Sequence, residues 1–151
     1  MGILIFGGDF MKVKDIMSTD IESVCCEDSI EKCAQLMKQH DIGSLPVCDN
    51  DKVVGIVTDR DLALRSIAEG QDWKTQKVSD VMTKNPSLGS PDMNVKDAAE
   101  IMSRQQIRRL PIVDNNSLVG IVALGDIALE PALSDRAEDS LRDISKPNHF
   151  H

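Results

Sequence analysis

The chain runs to 151 residues with a formal charge of −8. That is long enough for a substantial core and too acidic for the basic face that coating a nucleic-acid polymer requires. No apolar run approaches the ~20 residues that span a bilayer, and the start of the chain lacks a basic segment and a cleavage site, so a cytoplasmic protein without a membrane partner is expected.

Taken in chain order, residues 1–11 read as an extension, vector-derived or from an early start codon, with Met11 a sensible native start. Residues 12–70 form a first repeat that reads β-α-β-β-α. Asp28-Ser29-Ile30-Glu31 has the pattern of a helix start with an acidic residue three places after the cap, and Ile30, Cys33, Ala34 and Met37 fall on one helical face. Leu45–Cys48 and Val53–Val57 are short apolar strands around Asp49-Asn50-Asp51, a hairpin with turn chemistry. A closing helix is expected from Asp59 to Glu69. Residues 71–77 are a polar linker carrying Trp73, expected to be a packing anchor.

Residues 78–132 repeat the unit. Val13-Lys14-Asp15-Ile16-Met17 returns as Val78-Ser79-Asp80-Val81-Met82, Leu45-Pro46-Val47 as Leu110-Pro111-Ile112, and Val54-Gly55-Ile56-Val57 as Val119-Gly120-Ile121-Val122, all at one offset of 65 residues. Such regularity marks a duplicated supersecondary unit. Asn94 and Asp97 start its first helix, with Val95, Ala98, Ala99 and Met102 on one face. Its hairpin turns at Asp114-Asn115-Asn116, and its closing helix is expected from Asp126 to about Ala132. Residues 133–151 are a polar tail in which Leu133, Leu141 and Ile144 are available to dock. His149 and His151 lack a third ligand, so no metal site is expected.

The four cysteines, Cys25, Cys26, Cys33 and Cys48, all lie in the first copy and contain no CxxC pair. This argues against a disulfide framework or a zinc site and reads as small buried residues in a reducing compartment. A redox-sensing Cys25-Cys26 pair is the alternative.

Chemistry concentrates where the copies differ. In Gly55-Ile56-Val57-Thr58-Asp59-Arg60-Asp61 a buried strand runs into a helix N-terminus, where backbone N–H groups favour anions. Thr58 offers a hydroxyl and Asp61 a carboxylate that suits a vicinal diol, although Thr58 and Asp61 also fit an N-cap and its N3 partner. In the second copy Asp126 survives while the cap threonine is Ala123, so capping alone does not account for the aspartate in both copies. Before the proline, Gly43-Ser44 becomes Arg108-Arg109, and arginine forks bind phosphate bidentately. A two-fold arrangement that brought Thr58 and Asp61 near Arg108 and Arg109 would assemble the parts of a nucleotide site.

On these motifs the repeat resembles the cystathionine-β-synthase (CBS) domain, and residues 12–132 resemble a free-standing tandem pair, a Bateman module of the small bacterial type. The resemblance implies an α/β (α+β) fold of two β-α-β-β-α repeats packed about a pseudo-two-fold axis. It also implies clefts that bind AMP, ADP or ATP, and sometimes S-adenosylmethionine or NAD. It assigns the ribose to Asp61, the phosphate or ribose side to Thr58, the phosphate to Arg108 and Arg109, and adenine to the backbone near Pro86, Ser87 and Leu88. The second cleft, with Ala123 and Asp126 facing Gly43 and Ser44, lacks hydroxyl and arginines, so one competent site is expected.

The resemblance further implies a homodimer and a regulated protein acting in trans. No required cofactor is expected. No enzyme is expected either: neither a paired carboxylate nor a nucleophile–base pair accompanies Asp61, and His40 is expected to be exposed. A purely structural dimerisation module is the competing reading.

Overall fold

The computed structural model describes residues 11–128. Most of the expected extension, the end of the second closing helix, and the tail with Leu133, Leu141, Ile144, His149 and His151 lie outside the described residues. The described chain forms two compact units: residues 22–86 with 116–118, and residues 11–21, 87–115 and 119–128.

The first unit carries β1 (Val24–Cys25), α1 (Ile30–His40), β2 (Ser44–Asp49), β3 (Lys52–Thr58), α2 (Asp59–Leu62), a π-helical stretch (Ala63–Ile67), a 3-10 turn (Val78–Asp80) and β4 (Thr83–Lys84). β1 runs parallel to β2, and β3 is antiparallel to both β2 and β4. The second unit carries a 3-10 turn (Val13–Asp15), α3 (Val95–Gln105), β5 (Arg109–Asp114), most of β6 (Ser117–Ala123) and α4 (Leu124–Ala128). The opening strand of the second repeat is reduced to a parallel bridge between Gly89 and Ile112. The mixed α/β class is as expected, and the β-α-β-β-α order is complete in the first unit, while in the second that bridge stands in for the first strand. Among the described residues, no helix is long and apolar enough to cross a membrane.

Local chemistry explains the element ends. Ser29, one residue past the expected Asp28, caps α1 by accepting from Lys32 N–H, and Asn94 caps α3 by accepting from Lys96 N–H. Asp28 instead accepts from Cys25 N–H at 2.8 Å. Both helices end on a left-handed residue, Asp41 (φ 53°) and Gln106 (φ 58°). The hairpins turn on Asn50-Asp51 and Asn115-Asn116, all with positive φ. That is the requirement of a two-residue type I′ loop, and Asn and Asp tolerate it best among residues with a side chain. The second closing helix starts at Leu124, two residues before the expected Asp126, because Asp126 sits inside its first turn.

The units are not the linear repeats. Val13 packs in the second unit's core with Val95, Ala98, Met102, Leu110 and Ile127, whereas Val78 and Val81 pack in the first unit's core with Val24, Ile30, Leu45 and Val57. The hydrogen bonds are equivalent. Val13 N–H donates to Met93 O at 2.8 Å and Val78 N–H to Asp28 O at 2.8 Å. Val95 N–H donates to Met11 O and Ile30 N–H to Gln76 O. Each repeat therefore gives its opening segment to the body of the other.

Two expectations fail at single positions. Ala34 is exposed while its counterpart Ala99 is buried. Of the cysteines, Cys33 and Cys48 are buried, but Cys25 is exposed and Cys26 half-buried. β1 is an edge strand in its sheet, and Cys25 lies on the face away from the core. Trp73 lies beside α1, where its carbonyl accepts from Glu31 N–H at 2.9 Å. Trp73 remains 42% exposed, so it anchors the linker through its backbone more than through burial.

Candidate functional site

The residues expected to carry chemistry lie at two strand-to-helix corners. In the first unit β3 runs into α2 at Thr58. Thr58 Oγ1 accepts from Asp61 N–H at 3.1 Å, and Asp61 Oδ2 accepts from Thr58 N–H at 2.9 Å, a complete reciprocal capping box. Asp61 Oδ1 lies 3.8 Å from Arg65 Nε, a long ion pair one helical turn away. The side chain of Asp61 is only 15% exposed. A carboxylate has about four acceptor positions, so capping leaves Asp61 free to accept further hydroxyl donors.

In the second unit the corner keeps half of this arrangement. Asp126 Oδ2 accepts from Ala123 N–H at 3.3 Å, while Ala123 has no hydroxyl to return the bond. Capping therefore accounts for the aspartate in both copies, contrary to the expectation from sequence. The acceptor half of the box needs only the backbone N–H of the residue at position 123, and every residue except proline supplies one. What the second copy loses is the threonine's contribution alone.

Each corner is tied to the segment before the proline of its own copy. Asp59 N–H donates to Gly43 O at 2.9 Å, and Leu124 N–H donates to Arg108 O at 2.8 Å. This pairing exposes a difference that inspection of motifs missed. Asp59 Oδ2 lies over Gly43, 3.0 Å from where a Cβ would stand. The counterparts of Asp59 and Gly43 are Leu124 and Arg108. The two positions change together, and the first corner is acidic where the second is basic. The signal was present in the comparison of copies, but the fifteen intervening positions hid that the two changes are neighbours.

Arg108 is exposed and Arg109 half-buried at the start of β5. Among the described residues neither guanidinium has a carboxylate within ion-pair distance. Pro86, Ser87 and Leu88 are half-buried and lie outside any strand, with Pro86 ending a segment of the first unit and Ser87 opening one of the second. Thr58 and Asp61 thus belong to one unit and Arg108, Arg109 and Asp126 to the other.

The glycines and methionines repeated in the two copies have a structural role. A Cβ on Gly55 would stand 2.6 Å from Met82 Sδ, and one on Gly120 would stand 2.5 Å from Met17 Sδ. The methionine that ends each opening lies on the glycine of the strand it joins. His40 is exposed, as expected, and pairs with Glu22 at 2.8 Å. Among the described residues no three His, Cys, Asp or Glu side chains gather to hold a metal.

Comparison with known proteins decides the family. The family model described as the CBS domain matches residues 13–67 and again residues 78–132. The chain belongs to the CBS domain family. As a CBS pair it is 46% identical over 136 residues to the CBS domain-containing protein YhcV of Bacillus subtilis (strain 168), covering 90% of this chain and 96% of that protein. Among solved structures it is similar to the CBS domain pair of protein MJ0100 in complex with 5-methylthioadenosine and S-adenosyl-L-methionine (TM-score 0.70, 32% identity, 79% of this chain and 94% of that one). It is also similar to Hypoxic Response Protein I with two coordinated zinc ions (TM-score 0.73, 32% identity, 78% and 97%).

Proposed function

We propose that this CBS pair is a non-catalytic regulatory module that binds an adenine nucleotide, AMP, ADP or ATP, in one composite site. In that site Asp61 accepts the ribose hydroxyls, Thr58 donates to the phosphate side, and Arg108 and Arg109 clamp the phosphate. The backbone of Pro86, Ser87 and Leu88 faces the adenine. Asp126, at the other corner, belongs to a second site that lacks both the hydroxyl, with Ala123 in place of Thr58, and the arginines, with Gly43 and Ser44 in their place. The observation that carries this reading is that, among the described residues, neither Arg108 nor Arg109 has a carboxylate within ion-pair distance, so both guanidinium forks are open to a phosphate. The complex of the MJ0100 CBS pair with two adenosyl ligands supports the ligand class.

Ligand binding would favour one arrangement of the module, which a homodimer partner or a regulated protein in trans reads. Calorimetry with AMP, ADP, ATP, S-adenosylmethionine and NAD tests this. One adenine nucleotide is expected to bind, and Asp61→Ala and Arg109→Ala are each expected to weaken it at least about tenfold, ~1.4 kcal/mol. Unchanged affinity in both variants overturns the site.

The capping box gives a second reading its own observation. Thr58 and Asp61 already have a structural role in starting α2, as they would in a structural dimerisation module whose ligand sites have degenerated. A thermal-shift series separates the two. A ligand at 100 times its dissociation constant adds about 2.7 kcal/mol, whereas a structural module shows no shift with any of the five compounds.

A further inference from the structure

Away from the corners, the first unit brings cysteines together at a sheet edge. β1 and β2 pair in parallel with Val24 opposite Val47 and Cys25 opposite Cys48. Neighbouring strands lie about 4.8 Å apart, and residues in register on parallel strands project to the same face. Val24 and Val47 face the core, 2% and 0% exposed, so Cys25 and Cys48 share the other face. A Cα separation of this size lies within the roughly 4.4–6.8 Å that a disulfide spans. All four cysteines are free thiols. Cys25 is exposed on the edge strand, and Cys48 behind it is buried.

The second unit shows that the backbone does not need these thiols. There Gly89 bridges Ile112 in parallel and Val113 N–H donates to Gly89 O at 2.9 Å, with Ser90 and Val113 standing where Cys25 and Cys48 stand in the first copy. The same ladder forms with a serine and a valine.

We propose that Cys25 and Cys48 are a redox pair that closes to an intramolecular disulfide in the presence of a low-molecular-weight disulfide. The Cys25 thiolate attacks one sulfur of the small disulfide. A mixed disulfide forms at Cys25, and the first small thiolate leaves. The Cys48 thiolate then attacks the Cys25 sulfur, the Cys25–Cys48 bond forms, and the second small thiolate leaves. Two protein thiols are oxidised and one small disulfide is reduced to two thiols, which take up the two protons the cysteines lose. Cys25 goes first because it is exposed. Burial, the largest influence on Cys48, raises its thiol pKa and disfavours its thiolate, which leaves the first attack to exposed Cys25.

The test treats the intact protein with oxidised glutathione, alkylates it, and maps the thiols by mass spectrometry. The protein is expected to lose two of its four thiols, retain no glutathione, and yield a Cys25–Cys48 linked peptide. Cys26→Ser is expected to behave identically. Cys48→Ser is expected to stop at a glutathione adduct on Cys25, and Cys25→Ser, changed at an exposed position, to form no internal link. A Cys25–Cys26 link, a link between chains, a persistent glutathione adduct on the unsubstituted protein, or four free thiols overturns the pair.

Discussion

Single residues at the two corners do different work from identical positions. Thr58 closes the capping box of α2, and Thr58→Ala is expected to destabilise the protein by about 1 kcal/mol. Ala123→Thr is expected to stabilise it by up to about the same amount, because Asp126 already holds the Ala123 N–H and only the hydroxyl is missing. Urea denaturation of the two variants checks both signs. A second residue-scale consequence concerns pH. Burial, followed by the Asp28 carboxylate, pushes the Cys33 thiol from an ordinary 9.0 up to about 12. A group whose folded pKa lies above its unfolded value contributes stability that is complete below the unfolded pKa and lost as pH rises through the folded one. The denaturation midpoint is therefore expected to fall from pH 9 upwards, and to fall less steeply in Cys33→Ala.

At the scale of elements, each opening segment locks onto a strand through a methionine lying over a glycine. Gly55→Ala and Gly120→Ala are each expected to cost about 1–3 kcal/mol by overpacking. The two sites differ in what remains when the methionine is removed. At Gly55 a new Cβ still meets the Thr83 carbonyl at 2.9 Å, whereas at Gly120 the nearest backbone atom is the Ser18 carbonyl at 3.2 Å. Met17→Ala is thus expected to relieve Gly120→Ala more than Met82→Ala relieves Gly55→Ala, a difference that double-mutant cycles measure.

At the scale of the molecule, neither linear repeat contains a complete core. A fragment of residues 78–132 lacks the Val13 segment that fills the second unit, and a fragment of residues 12–70 lacks Val78 and Val81. Each fragment alone is expected to show no cooperative unfolding transition. Mixed together, the fragments are expected to recover one, read by circular dichroism on heating. Cooperative unfolding of either fragment by itself would show that the exchanged openings are dispensable.

Local rules explain why so much was readable in the sequence. Helix faces repeat every 3.6 residues, and Asn-Asp and Asn-Asn turns declare their own φ. Both kinds of information sit within a few positions of the element they specify, so α1, α3 and both hairpins emerge from short windows. The offset of 65 residues likewise establishes the duplication by itself. Three features needed the tertiary structure. The openings Val13–Met17 and Val78–Met82 are nearly the same sequence, so neither can declare which body it joins; the cores decided that by packing. Asp126 looked unexplained without a cap threonine because its partner is a backbone N–H, which has no residue letter. The neighbours Asp59 with Gly43 and Cys25 with Cys48 are set by strand register, and register is a relation between distant segments that no single stretch of sequence records.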